Sequence, residues 1–289
     1  MRHAYLIIAH HEFEILKLLI ESIDDSRNDI YIHYDKKIGS LPEIEVFNSN
    51  LFILKDRIDV RWGHISQIEV ELLLFDTAYN NLNANYSYFH LLSGVDIPIK
   101  SQNFIHDFCY KYQGKEFIGF TQGNTSKEIE RKVRRYHLFS NEFRMENSLL
   151  QNSKKIIRAI ILKIQELIGL KRNTHVEFKK GTNWVSVTYN FVKYMLTQKN
   201  QIRNIYAMTF CADEIFLQTL CWNSDFKDNV YDLHDSRNSS KRMINWKNNV
   251  IHDWQIEDTD FLIASSGLFA RKFSSQNLST VQQILNKIK

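Results

Sequence analysis

The feature that most constrains this chain is its first third, where short apolar runs alternate with segments of helical periodicity. "AYLIIA" reads as a strand apolar on both faces, and "EFEILKLLIESI" follows with apolar residues at helical spacing. "DIYIHYD" and "LFILK" repeat the strand character, and "ISQIEVELLLFDTAY" is a second helix. "YSYFHLLS" is a further strand, ending in the turn "GVDIP". Strands that are apolar throughout need cover on both faces, so this order predicts a parallel, doubly wound α/β sheet. A ligand of such a sheet lies beyond the carboxyl ends of its strands. With 289 residues, 44% of them hydrophobic and 13% aromatic, the chain can bury the core this arrangement needs.

The middle of the chain has a different character. Residues 122–180 are polar and basic ("NTSKEIERKVRRYH") and lead into an amphipathic stretch at 154–171. There Ile156, Ile157, Ile160, Ile161, Ile164, Leu167 and Ile168 fall on one side, with Lys154, Lys155, Arg158, Lys163 and Lys171 elsewhere. Such a helix either packs on its own core with a solvated basic face, the simpler expectation, or lies on an anionic membrane. "GTNWVSVT" resumes strand character, and helices are expected around 190–196 and 213–221. "TDFLIASSGLFARKF" reads as a helix opened by Thr259 or Asp260 and closed near Gly267. No Gly/Ser/Pro-rich linker, repeat or low-complexity tract divides the chain, so one domain over 1–289 is expected, with an insertion-like basic middle.

Several function classes fall away. Cys109, Cys211 and Cys221 form no pairing pattern, which argues against a disulfide scaffold and for a reducing compartment. "MRHAYLIIAHHEFE" holds an apolar run too short for a signal peptide, and no stretch of about 20 apolar residues could span a bilayer, so a cytoplasmic location is expected. A net charge of +4 suits an anionic ligand or membrane surface, but no basic stripe marks a nucleic-acid partner. Neither common phosphate-binding glycine loop occurs, nor GxSxG, nor HExxH. His10 and His11 read as polar structure more readily than as metal ligands. The literal DxD at Asp258-Thr259-Asp260 precedes a helix-like run, where these are ordinary cap and first-turn residues.

The acid pair of "CADEIFLQTL" is harder to dismiss, because Asp213 and Glu214 open an apolar helix. Neighbours on a helix diverge by about 100°, so the two cannot flank one glycosidic bond as hydrolase carboxylates do. In order and spacing, "YSYFHLLSGVDIPIKS", "GTNWVSVT", "ADEIFLQTL" and "SGLFARKF" together resemble the Core-2/I-branching family. That family contains β-1,6-N-acetylglucosaminyltransferases and peptide O-xylosyltransferases. "IAHH", "IYIHYDKK" and "VRWGHISQIE" extend the resemblance over nearly the whole chain, which looks like a compact bacterial member without stem or membrane anchor. The resemblance implies a glycosyltransferase A-type, Rossmann-like mixed sheet flanked by helices. It also implies a nucleotide-binding half over about 1–120 and an acceptor and catalytic half over about 121–289. The implied reaction is an inverting single displacement from a UDP-sugar, with no metal or other cofactor. UDP-N-acetylglucosamine is the first-choice donor and UDP-xylose the second, and the acceptor would be a bacterial surface-glycan precursor.

Carried over residue by residue, the resemblance makes Glu214 the base that takes the acceptor hydroxyl's proton. Asp213 is left as a cap or an orienting group. The departing UDP gathers negative charge that Arg and Lys must stabilise if no metal does. Lys272, in "LFARKF", matches the family's cation for that role. Its usual Arg partner has no counterpart in "NNVIHDWQI", and Arg242 or Arg271 is the expected substitute. Asp35 and His10 match positions near the nucleoside, and Trp62 an aromatic beside the donor. Asp96 is expected to hydrogen-bond the donor or neighbouring backbone. Arg131, Trp184 and Trp246 are expected to meet the acceptor or a sugar ring. A lipid-linked glycan acceptor and a peripheral membrane contact would suit the basic helix. The missing Arg also motivates an alternative, a non-catalytic nucleotide-sugar- or carbohydrate-binding protein on the same fold.

Overall fold

The computed structural model describes residues 1–143 and 149–289. It opens with β1 (Arg2–Ala9), α1 (Phe13–Ile23), β2 (Asn28–Tyr34), β3 (Asn50–Ile53), α2 (Ser66–Tyr79), β4 (Tyr86–Ser93), β5 (Asp96–Pro98) and α3 (Gln102–Lys111). There follow α4 (Ser126–Val133), α5 (Leu149–Leu167), β6 (Ser186–Thr188), α6 (Tyr189–Thr197), α7 (Lys199–Tyr206) and α8 (Asp213–Trp222). The chain continues through α9 (Ser236–Ser240), β7 (Arg242–Ile244), β8 (Trp246–Lys247) and β9 (Val250–Ile251). Its last elements are α10 (Thr259–Ala264), β10 (Phe269–Arg271) and α11 (Leu278–Ile288).

The main sheet has the order β3-β2-β1-β4-β6. Four strands are parallel, as the alternation predicts, but β6 runs antiparallel to β4. The sheet is therefore mixed, the form implied by the family resemblance rather than the wholly parallel form. β6 reaches the edge only after β5 and the helices α3 to α5, a connection of more than 90 residues rather than a single crossover helix, which leaves its direction free. Along β1, Leu6 joins the hydrophobic cluster on one face, with Phe75, Phe89 and Phe216, while Tyr5 and Ile7 join the other, with Leu16, Tyr88 and Phe269. This two-residue alternation with both faces covered is why "AYLIIA" carries no polar side.

A second sheet, β5-β10-β7, pairs the "GVDIP" segment antiparallel with "LFARKF", which lies parallel to "KRMINW". The expected turn is confined to Gly94 and Val95, and Asp96–Pro98 is itself a strand. The helix within "TDFLIASSGLFARKF" ends at Ala264, before Gly267, and the remainder is β10. Asp258 closes a capping box with Gln255, its carboxylate accepting from the Gln255 backbone N–H at 3.0 Å. Asp260 pairs with Lys287 of α11.

The amphipathic stretch forms α5, yet the expectation that its apolar side packs on the core fails. Ile156, Ile160, Ile164 and Leu167 are between 49% and 73% exposed, whereas Gln165 is buried.

Candidate active site

Two cavities lie side by side over the carboxyl ends of the main sheet, and each takes its residues from elements that the topology brings together. The first, of about 440 Å³, is walled by the residues that follow β1 and β2 and by the end of β4. The strand order reverses between β1 and β4, so this is the switch point where open α/β sheets bind ligands. His10 and Asp35 line it, with Trp62 opposite. Asp35 is placed by its backbone N–H, which donates to the Ala9 carbonyl (2.9 Å), and its carboxylate takes the Lys37 ammonium at 2.7 Å. Lys37 also reaches Asp59 at 2.8 Å, which ties the loop after β3 to the end of β2.

Arg271 and Lys272, at the end of β10, enter the same cavity. The Arg271 guanidinium stacks on the Trp184 ring at 4.3 Å and stands 3.6 Å from Asp96. Burial pushes this guanidinium down, and Asp96 opposes the shift. Its buried Nε has no hydrogen-bond partner among the described residues. Lys272 is more open, and its ammonium lies 3.7 Å from Asp253. The indole N–H of Trp254 donates to the Arg271 carbonyl (2.8 Å), and the Trp254 backbone N–H donates to the Lys272 carbonyl (3.1 Å), which holds both cations in register.

The second cavity, of about 420 Å³, contains Glu214, Lys180 and Trp246, and it shares Asn183 and Trp184 with the first. Glu214 stands in the first turn of α8, whose next residues, Ile215 to Thr219, are all buried and hold the helix rigidly. The loop that carries Lys180 to Trp184 is fastened to that helix. The Gly181 N–H donates to the Glu214 carbonyl (2.9 Å), and the Gln218 side-chain amide donates to the Thr182 carbonyl (2.7 Å). A Cβ at Gly181 would fall 1.8 Å from the Gly119 carbonyl oxygen, so only glycine lets the loop come this close. The Glu214 carboxylate lies 3.3 Å from the Lys132 ammonium and 3.4 Å from that of Lys180, both through Oε2. Glu128 bridges the same two lysines at 2.7 and 2.8 Å. Burial pulls the Lys132 ammonium down, but Glu214 and Glu128 outweigh it and leave Lys132 above its ordinary value.

Of the residues expected at the site, Glu214, Trp184 and Trp246 meet in the second cavity, and His10, Asp35, Trp62, Arg271 and Lys272 in the first. Three others stand elsewhere or serve the framework. Asp96 is buried and lines neither cavity; its oxygens accept from the Ser93 N–H (2.9 Å) and hydroxyl (2.8 Å). Arg242 borders the second cavity rather than the first, and its guanidinium donates to the carbonyls of Val185 (2.8 Å) and Ser240 (3.0 Å). Arg131 lies exposed on α4 and lines neither cavity, whereas its neighbour Lys132 reaches Glu214. Asp213 stands at the first helical position of α8, after the N-cap residue Ala212. Its buried carboxylate accepts from the Gln67 amide (2.8 Å).

Sequence reasoning missed Lys132, Lys180 and Glu71. Glu71, on α2, is buried at the wall of the first cavity, and burial first, then the Asp213 charge, pushes it well above the usual carboxylate range. Burial and then Glu214 push Asp213 up to about 7. A signal for Glu71 was present, since it interrupts the apolar run between Val70 and Leu72. Among the described residues one group has metal-ligand spacing, His3, His90 and Cys109, and none of the three lines either cavity. Chemically, then, the paired cavities offer an anchored carboxylate on one side and two cations on the other, separated by Asn183 and Trp184.

The family model described as Core-2/I-Branching enzyme matches residues 3–267. Xylosyltransferase 2 of Rattus norvegicus is 22% identical over 313 residues, which cover 99% of this chain and 33% of that protein. A Bos taurus beta-1,3-galactosyl-O-glycosyl-glycoprotein beta-1,6-N-acetylglucosaminyltransferase is 30% identical over 103 residues, 34% of this chain and 24% of that protein. Its Danio rerio namesake numbered 4 is 21% identical over 222 residues, 74% of this chain and 48% of that protein. The chain spans a third of the rat protein's length and less than half of the length of the other two. Matched by the family model over nearly its whole length, the chain belongs to the Core-2/I-branching enzyme family.

Proposed function

We propose that the protein is an inverting, metal-independent glycosyltransferase that moves a sugar from a UDP-sugar to a hydroxyl of a glycan acceptor. The observation that supports this reading best is the shared wall: Glu214 on one side of Asn183 and Trp184, Arg271 and Lys272 on the other. The acceptor hydroxyl gives its proton to the Glu214 carboxylate while its oxygen attacks the anomeric carbon. The bond from that carbon to the diphosphate oxygen breaks, and its electron pair leaves with UDP. Lys272 as a point charge and Arg271 as a planar donor take up the charge that develops there. The Arg271 Nε, 3.6 Å from Asp96 but without a hydrogen bond among the described residues, is the kind of buried donor that a phosphate oxygen satisfies. Of the candidate substitutes for the missing Arg, Arg271 is the one whose side chain reaches this cavity, since Arg242 is spent on backbone carbonyls.

In this reading His10 and Asp35 stand where the nucleoside enters, with Trp62 beside it, and Trp184 and Trp246 offer faces to sugar rings. N-acetylglucosamine is the first-choice sugar and xylose the second, after the names that the relatives bear. The acceptor is a lipid-linked precursor of a bacterial surface polysaccharide, met on the cytoplasmic side of the membrane.

Release of UDP from a panel of UDP-sugars, with and without glycan acceptor and chelator, tests the proposal. Acceptor-dependent release from UDP-N-acetylglucosamine that chelator leaves unchanged is the expected result. Binding of donor without release would favour a binding protein, and chelator inhibition reversed by manganese would overturn the metal-independent mechanism.

A further inference from the structure

The inner side of α5 is anchored by Lys154, Arg158 and Gln165, with Ile161 and Leu162 half-buried, while most of its isoleucines face away, the reverse of a helix that packs its apolar stripe on its own core. On the inner side, the Gln165 amide accepts from the Tyr136 N–H (2.8 Å) and donates to the Tyr136 carbonyl (3.0 Å). Lys154 pairs with Glu142 at 2.6 Å, and the Arg158 guanidinium lies over the Phe143 ring at 4.2 Å. On the outer side, Ile156, Ile157, Ile160, Ile164, Leu167 and Ile168 are all exposed. At helical spacing these six cover an arc of about 120°, a continuous stripe rather than scattered surface residues. The polar anchors fix the helix in this orientation, so the stripe is held outward.

Charge indicates what the stripe meets. Lys154, Lys155, Arg158, Lys163 and Lys171 belong to this helix and the turn after it, against Glu166 alone among acids. Lys163 borders the stripe with its side chain 65% exposed, and it pairs at 3.2 Å with Glu166, which stands farther round the wheel. Over residues 122–180 there are 14 Lys and Arg against 6 Glu and no Asp, so the remainder of this +4 chain is net acidic. We infer that α5 docks on an anionic lipid bilayer, lying in the plane of the interface with its stripe at the acyl boundary and Lys163, at the margin of the stripe, among the headgroups. No helix among the described residues is long and apolar enough to cross a membrane, which fits a helix that lies on one. A two-fold pairing with a second copy would bring two net-basic helices together, a poor match for the same surface.

The inference stands on α5 and does not depend on the sugar-transfer reading, but it bears on the site. Lys171, just past α5, pairs with Glu130 of α4 at 3.3 Å, and Lys132 of α4 pairs with Glu214. The docked helix is thus one helix removed from the second cavity.

The test is co-sedimentation of the full chain with phosphatidylcholine vesicles, with and without phosphatidylglycerol, alongside light scattering in the absence of lipid. A monomer that sediments with the anionic vesicles and not with the neutral ones is the expected result. The variant Ile156→Asp/Ile160→Asp/Ile164→Asp should lose that binding at least about tenfold while its circular dichroism and melting temperature stay unchanged, since these side chains already face water. Lys163→Glu, a single charge reversal, should weaken binding to anionic vesicles alone. Failure of the native chain to bind, or equal binding by the triple variant, would overturn the inference. So would a lipid-free dimer that the triple variant dissociates, which would make the stripe an interface between copies.

Discussion

Arg271 and Lys272 are adjacent in sequence yet reach their cavity in different states, one buried against Trp184 and Asp96, the other half exposed near Asp253. A half-exposed ammonium acts on phosphate charge and contributes little to binding a neutral nucleoside. Lys272→Ala should therefore weaken UDP more than about tenfold and uridine less than about twofold by calorimetry; equal losses would remove Lys272 from the diphosphate. Asp213 carries a different signature. Its carboxyl is raised from 3.8 to about 7 in the folded protein, so the native state holds a proton there that the unfolded chain has released. Stability from this group is full below the unfolded value and declines as pH rises from about 4 through about 7. Asp213→Asn should flatten part of the fall in melting temperature across that window, leaving the part that Glu71 contributes in the same direction. An unchanged slope would show that Asp213 is ionised in the native protein.

The elements differ in how openly the sequence displays them. β1, β2 and β4 are seven or eight residues long and buried on both faces, so apolar runs mark them plainly. β5, β7 and β10 have three residues each, too few for any period to show, and only their pairing in the second sheet defines them. The framework role of Arg242 was hidden for a related reason. An arginine in a polar stretch reads as a solvated cation, yet here it clamps β7 to the edge of the main sheet through Val185 and the Ser186 hydroxyl (3.0 Å). Burial pulls its guanidinium down to about 10. Arg242→Met should cost about 2–4 kcal/mol of folding stability while changing UDP affinity of the folded protein less than about threefold. A selective loss of UDP binding at unchanged melting temperature would return Arg242 to the donor. α5 shows the opposite failure, a pattern read correctly as amphipathic whose two sides face the other way, because Gln165 and Arg158 make better anchors here than isoleucine.

At the scale of the whole molecule, the site joins strand ends from the first 120 residues to the loop and helix that carry Trp184 and Glu214 and to the end of β10. Such an assembly is legible only through motifs whose order resembles a known family, since no local pattern ties His10 to Lys272. Lys132 and Lys180 escaped because they sit in a basic stretch that suggests surface, and only the fold turns them toward Glu214. Those two lysines and Glu128 hold the carboxylate in one place, which is what proton transfer to a fixed base needs. The central claim is that Glu214 is that base. Transfer by Glu214→Gln, measured beside its affinity for UDP, tests it most directly. The account predicts a rate lower by at least about a hundredfold with UDP affinity within about twofold of the native protein. Transfer within about tenfold of native would contradict it.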